Sequence, residues 1–228
     1  MALATALSIG LYRRNGAWTS PEATWLDVTE KHPTLWRGWQ NLAQQEWATG
    51  QYRRAIAHLE RALALADTPQ QRLDSLRNLS ANLMAVEELD RAYVALSEAD
   101  RLGFDHAMVK FNLAIVLTKL DRLDEAEPYA RRAIELDPQS VHGHAALAQI
   151  LGKRGDHAGA LREFQTAAAL DPDALRPAMN VAAALENLGR RREACVEWSR
   201  CAAIAGGAGP AAQERARLGC DRLEAAAP

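Results

Sequence analysis

The sequence predicts an all-α protein built from stacked pairs of antiparallel helices, and two observations lead to this prediction. The first is internal repetition, because the stretch from Leu123 to Pro138 recurs 34 residues later in a stretch that ends at Pro172. The second is composition, since 48% of the residues are hydrophobic but only 6% are aromatic. Abundant alanine favours closely packed helices over sheet. We therefore expect helix throughout, in helices of roughly 12–15 residues.

The repeat extends in both directions when the chain is aligned on the small residue early in each second helix. That residue is Ala55, Ala92, Ala126, Ala160 and Ala194, at spacings of 37, 34, 34 and 34. The small residue seven positions later is Ala62, Ala99, Ala133, Ala167 and Cys201. The packed residue of each first helix is Leu42, Leu79, Leu113, Leu147 and Val181. Because the small positions carry no bulk, a neighbouring helix can lie close to them.

Glycine marks the turn between paired helices at Gly50, Gly155 and Gly189, where it accepts the left-handed conformation that ends a helix. Glu87 and Asp121 stand at the same place in the other two pairs. We therefore expect the same turn at all five positions.

Two irregularities interrupt the pattern. Three extra residues around Thr68–Gln70 account for the single spacing of 37. Glu46 stands where the later first helices carry a leucine, namely Leu83, Leu117, Leu151 and Leu185. This replacement predicts either a locally solvated contact at Glu46 or packing taken over by the neighbouring Trp47.

A helix-turn-helix unit with this period and these positions resembles the tetratricopeptide repeat. The resemblance implies an α-solenoid, a right-handed superhelix of about six repeats that binds other proteins through its concave surface. The predicted solenoid covers residues 1–208, with repeats at about 2–35, 36–69, 73–106, 107–140, 141–174 and 175–208. Residues 209–228 are predicted to form a capping helix, from Ala211 to Ala225, and a tail, since solenoids need a polar end.

Composition and motifs argue against several other functions. The 27 basic and 29 acidic residues give no basic excess for nucleic-acid binding. No phosphate-binding loop or nucleophile elbow is present, which predicts a non-enzymatic protein without a cofactor. His142 and His144 diverge on a helix and are interpreted as surface histidines, so no metal site is expected. Cys195, Cys201 and Cys220 show no paired spacing, which makes a disulfide unexpected and favours Cys201 as a core residue.

A recurring asparagine gives the candidate binding site. The residue before the packed Leu or Val is Asn41, Asn78, Asn112, Ala146 and Asn180, and we expect it to point away from the core. An amide can donate and accept hydrogen bonds, so four asparagines could hold the backbone of an extended peptide. They resemble the asparagine ladder of O-linked N-acetylglucosamine transferases. The alternative is that Asn-Leu is merely frequent in such repeats, and Ala146 interrupts the ladder.

Charged and aromatic residues flank this asparagine row. Four cations, Arg37, Lys119, Lys153 and Arg176, share the predicted face with one acid, Asp74. Such a wall favours a neutral-to-acidic protein or extended peptide as partner. The alternative is that these charges are simply solvated. Trp47, Arg77, Phe111 and Met179 flank the same face and could hold side chains of the peptide.

The beginning of the chain carries a second resemblance. Residues 11–15, Trp18, Trp25, Asp27, Lys31, Pro33, Arg37, Asn41-Leu42 and Gly50–Tyr52 resemble the junction in bacterial O-mannosyltransferase-like membrane proteins. That resemblance implies a recruiting domain of a membrane glycosyltransferase-like protein, with the repeats outside the cytoplasm. The apolar stripe Leu3, Leu7 and Leu11 accordingly predicts membrane attachment or self-association through residues 1–14. Arg13-Arg14 favours the cytoplasmic side instead, so both compartments stay open.

Overall fold

The computed structural model describes residues 20–206 and 209–220, and within them it contains twelve α-helices and no strand. The helices are α1 (Pro21–Lys31), α2 (Trp36–Ala48), α3 (Tyr52–Ala64), α4 (Pro69–Ala85), α5 (Leu89–Arg101), α6 (Ala107–Lys119), α7 (Leu123–Leu136), α8 (Val141–Lys153), α9 (His157–Leu170), α10 (Leu175–Asn187), α11 (Arg191–Ile204) and α12 (Pro210–Leu218). Consecutive helices pack against each other in pairs. The predicted all-α repeat fold of the solenoid class is confirmed.

The helices form two compact units, which fall within residues 1–104 and 105–228. In the first unit α2 packs on α3, α4 packs on both α3 and α5, and α1 covers α2. In the second unit α6 through α11 form three hairpins, and α12 packs on α11. None of the described helices is long and apolar enough to cross a membrane.

The turn inside each hairpin has the left-handed conformation that the sequence predicts. Gly50, Gly155 and Gly189 have φ values of +75°, +87° and +73°. Glu87 and Asp121 adopt φ values of +59° and +60° although they carry side chains. The turn is therefore dictated by the hairpin geometry and not by glycine alone.

The small residues of the repeat lie at the centres of the helix contacts. Ala55, Ala92, Ala126 and Ala194 are fully buried, and Ala160 is 3% exposed. Cys201 is also fully buried, as expected for a core residue. The three extra residues near position 68 lengthen α4 to 17 residues, with Thr68 capping its first turn and Pro69 as its first residue.

Two polar residues, Glu46 and His144, are buried in the structure. Glu46 is fully buried, with Oε2 2.7 Å from His58 Nδ1 and Oε1 3.2 Å from Arg54 Nε. His144 is only 9% exposed, with Nδ1 2.7 Å from Glu163 and Nε2 3.1 Å from the Pro138 carbonyl. The surface position expected for His144 was wrong, and so was solvent contact, one of the two alternatives expected at Glu46. Partners on neighbouring segments, which periodicity does not reveal, pair with these groups.

The C-terminal end differs from prediction in two ways. Cys195 on α11 and Cys220 form a disulfide, with their Cα atoms 5.3 Å apart, so the expectation of no disulfide was wrong. The predicted helix from Ala211 is interrupted early, since α12 ends at Leu218, where Gly219 adopts a φ of +67°. This turn brings Cys220 back to α11. Residues 221–228, and the predicted apolar segment of residues 1–14, lie outside the described residues.

Candidate functional site

The asparagine row lies largely on the accessible side of the first helices. Asn78 is exposed, while Asn41, Asn112 and Asn180 are partly exposed. Ala146 is 2% exposed and belongs to the core, so the expectation that it faces outward was wrong. A methyl group there is small enough to be covered by its neighbours, whereas an asparagine amide extends beyond them.

Three of the four amides have no hydrogen-bond partner among the residues that the structure describes. Asn41, Asn112 and Asn180 make no side-chain hydrogen bond to any described residue. Asn78 differs, because its Nδ2 donates to Gln40 Oε1 at 3.2 Å. Gln40 in turn donates to Ser75 Oγ at 3.3 Å. The Asn78 amide is therefore engaged with a neighbouring helix, while the other three amides make no side-chain hydrogen bond to a described residue.

A cleft of about 290 Å³ opens in the first unit between α2 and α4. Its lining consists of Ala43, Gln44, Trp47, Leu59, Asn78, Ala81 and Asn82. Ala43 and Leu59 are buried, whereas Trp47 is 42% exposed and packs edge-on against Tyr52 at 5.0 Å. Trp47 thus lines the same cleft as Asn78 without covering it completely.

Asn82 is a polar residue of this cleft that was not among the predicted site residues. It is 3% exposed, and its Nδ2 donates to the main-chain carbonyl of Asn78 at 2.8 Å. Because a carbonyl cannot donate, this bond fixes the amide orientation and leaves Oδ1 buried without a partner. One feature of the sequence could have identified this residue. Asn82 places an amide at the repeat position that Val116 and Ile150 occupy in later repeats.

A second cleft, of about 420 Å³, lies within the second unit. Its lining combines the amides of Gln149, Asn180 and Asn187 with Lys153 and His157, and it also includes Thr118, Ala148, Gly152, Ala160, Phe164, Ala183 and Ala184. Lys153 Nζ donates to the Thr118 carbonyl at 3.0 Å and lies 3.5 Å from Asp121 Oδ1. The cleft therefore offers mainly neutral polar groups, with a cation that is partly neutralised.

The predicted cationic wall is uneven. Arg37 and Arg176 are exposed and have no ion pair with a described residue, and Lys119 is exposed. Lys153, in contrast, is paired with Asp121. The cations of the predicted wall without an ion pair to a described residue are therefore Arg37 in the first unit and Arg176 in the second.

The remaining flanking residues are half-buried. Arg77 Nη1 lies 3.7 Å from Asp74 Oδ1, while its Nε is buried without a hydrogen bond. Phe111 packs against His142 with ring centroids 6.2 Å apart. Arg77 therefore neutralises the one acid predicted on this face, and Phe111 presents only part of its ring.

The sequence also matches a known repeat family over two stretches. Residues 40–73 and 107–140 each match the tetratricopeptide repeat. The predicted repeats are confirmed in these stretches, one in each unit.

The chain is similar to one curated protein in sequence and to solved structures in fold, each at low sequence identity. BBS4 of Xenopus tropicalis, a BBSome complex member, is 28% identical over 159 residues, which cover 65% of this chain. The chain spans only 30% of the length of that relative. The crystal structure of the TPR protein YrrB is 21% identical, with a TM-score of 0.61 over 79% of this chain and 91% of its own. MamA of Desulfovibrio magneticus is 15% identical, with a TM-score of 0.67 over 77% and 97%.

Proposed function

We propose that this chain is a non-enzymatic scaffold that binds an extended segment of another protein along the asparagine face of its first helices. The observation that carries the proposal is the set of unused amides at Asn41, Asn112 and Asn180. Each offers a donor and an acceptor, which matches the peptide backbone independently of side chains. The competing explanation is that these amides are hydrated surface groups with no role in binding. The experiment below separates the two explanations.

The similar proteins support binding of this kind. YrrB is described as a TPR protein with an unusual peptide-binding site, and the Xenopus relative is a member of a multi-protein complex. The two clefts, lined by Asn and Gln amides beside apolar side chains, have the mixed character of sites that hold a ligand by a few polar contacts. These features make a protein partner more plausible than a small-molecule substrate.

The test removes two of these three amides, those of Asn112 and Asn180. A peptide selected from a displayed random library on the whole chain is labelled and titrated against the Asn112→Ala/Asn180→Ala variant. Two lost hydrogen bonds should weaken binding about tenfold for every selected sequence. Gln165→Ala, an exposed amide on α9, is the matched control and should bind like the parent. Equal affinity of the double variant would reject the asparagine face.

The preference for neutral-to-acidic segments is a further part of the proposal. It rests on Arg37, Arg176 and Lys119, which are exposed on the same helices as the asparagines. Charges at such a rim chiefly affect the rate of association. Lys119→Glu should therefore slow the binding of acidic peptides and leave neutral ones unchanged, as measured by stopped-flow at low salt. Equal rates for acidic and basic peptides with the unmodified chain would reject this preference.

A second candidate function is the recruiting domain of a membrane glycosyltransferase-like protein. The specific support is the resemblance of residues 11–52 to the junction of bacterial O-mannosyltransferase-like proteins. In this proposal the asparagine face recruits a protein substrate, and catalysis belongs to a preceding membrane region. The reading frame upstream in the source genome tests it, because several hydrophobic spans would support it and a native start at Met1 would reject it.

A further inference from the structure

The cleft of the first unit contains a buried hydrogen-bond acceptor that the protein leaves unused. Asn82 is 3% exposed and lines the cleft, and its Oδ1 has no partner. An unpaired buried polar atom destabilises a folded protein. The equivalent residues of later repeats, Val116, Ile150 and Ala184, are all apolar and buried. The fold therefore does not need an amide here, and a role in ligand binding explains its presence.

The other groups of the cleft define what this acceptor could meet. Gln44 is exposed at the same cleft, and its side chain makes no hydrogen bond to a described residue. Ala43 and Leu59 supply an apolar floor, and Trp47 supplies an aromatic wall at the opening. No charged residue is among the described residues that line it. The cleft thus combines a buried acceptor, a donor and apolar walls.

We propose that this cleft binds the primary carboxamide of a glutamine or asparagine side chain of the bound segment. The carboxamide would donate to Asn82 Oδ1 and accept from the Gln44 amide, while its methylene groups lie against Leu59. A carboxylate has no donor for Oδ1, and an ammonium or guanidinium group would lose hydration without meeting a carboxylate. Because Oδ1 is closed to solvent in the free protein, side chains of the cleft must shift to expose this atom as the ligand enters.

This inference rests on the proposed peptide-binding function, but its test does not require a selected peptide. The probe is N-acetyl-glutamine methylamide, titrated at millimolar concentration against the whole chain and followed by ligand-observed NMR. The glutamate and norvaline analogues have the same length and serve as probe controls. We expect the glutamine probe to bind at least fivefold more tightly than either analogue, and we expect Asn82→Val to abolish this difference.

Three further variants, together with Asn82→Val, separate the site from general effects on folding. Asn82→Val carries the residue found at Val116, so its melting temperature should equal or exceed that of the parent. Asn82→Ala, which imitates Ala184, is the substitute if the valine variant does not fold. Gln44→Ala should weaken the glutamine probe, whereas Gln149→Ala, at the same repeat position in the second unit, should not.

The outcomes distinguish this inference from the proposed function. Binding of the glutamine probe no tighter than its analogues, or a preference that persists in Asn82→Val and Asn82→Ala, overturns the carboxamide site. Selected peptides could still bind through the asparagine face in that case. Conversely, a glutamine preference that depends on Asn82 supports the carboxamide site even if Asn112→Ala/Asn180→Ala leaves peptide binding unchanged.

Discussion

At the residue scale, Glu46 shows how one substitution in a repeat changes its core. The carboxylate is fully buried and faces His58 and Arg54, whose side chains are 23% and 53% exposed. Oε1 lies within ion-pair range of Arg54 but not in hydrogen-bond geometry. His58 is therefore the stronger partner. A buried charge depends on such partners, since its hydration is lost on folding.

The two halves of this pair should respond unequally to mutation. His58→Ala leaves a buried carboxylate with Arg54 alone and should lower the free energy of unfolding by about 2–3 kcal/mol. Glu46→Leu, which imitates Leu83 and Leu117, leaves a partly exposed His58 that water can hydrate. This substitution should leave the free energy of unfolding unchanged or raise it. Urea unfolding of both single variants and the double variant measures this. A double variant as unstable as His58→Ala would contradict the explanation.

Glu87 carries backbone strain that the other turns avoid with glycine. Its φ of +59° is unfavourable for a side-chain-bearing residue, and the left-handed region costs about 1 kcal/mol. Glu87→Gly should raise the free energy of unfolding by about that amount. Gly50→Ala, with φ of +75° and no atom near the added methyl group, should lower it similarly. Opposite signs in thermal unfolding support this explanation, whereas equal signs contradict it.

Cys201 should remain unreactive in the folded protein. Burial, together with the nearby Glu197 carboxylate, raises the pKa of its thiol to about 11. The folded state thus favours the protonated thiol, and this stabilisation is lost as pH rises from 9 towards 11. Cys201→Ala should remove that part of the pH dependence of unfolding. Rapid alkylation of the native thiol near pH 8 would contradict its burial.

At the element scale, the disulfide holds the short helix α12 on α11. It closes a loop with a sequence separation of 25 residues, for which chain entropy gives about 3 kcal/mol of stabilisation. Cys220→Ser should therefore loosen α12 and increase proteolysis near Gly206 and Gly209, with little effect on the first unit. Alkylation in denaturant without reductant should label Cys201 alone. Labelling of all three cysteines would show that the disulfide is absent.

The helix pairs could be predicted from the sequence because their signals are local and periodic. The small residues at Ala55 and Ala92 and the turn at Gly50 recur at nearly constant spacing, and each acts within its own hairpin. The disulfide and the Glu46–His58 pair could not be predicted in this way. Their partners stand 25 and 12 residues apart, and these residue pairs do not recur in the other repeats.

The same contrast between periodic and non-periodic features determines which parts of the candidate site could be predicted from the sequence. The asparagine row was predictable because it repeats with the fold, and the structure shows that three of its four amides are unused. The role proposed for Asn82 could not be predicted from the sequence, because it depends on the bond that Nδ2 makes to Asn78 and on the missing partner of Oδ1. Burial and hydrogen bonding of a single amide cannot be obtained from spacing.

At the scale of the whole molecule, the proposed function is to bind the backbone of a partner and, in addition, to select among its side chains. In this proposal Asn41 in the first unit and Asn112 and Asn180 in the second, whose amides make no side-chain hydrogen bond to a described residue, provide sequence-independent contacts. The Asn82 cleft and the exposed arginines are proposed to bias the choice of segment. Such a division predicts moderate affinity for many peptides and a preference among them.

Backbone methylation of a bound peptide tests this claim most directly. A selected peptide is resynthesised with single N-methyl groups along its length, and each version is compared with alanine substitution at the same position by fluorescence anisotropy. We expect several N-methylated peptides to bind at least fivefold more weakly than the unmodified peptide. Most alanine substitutions should change affinity less than twofold. If N-methylation leaves affinity unchanged and alanine substitutions abolish it, the asparagine face does not hold a peptide backbone.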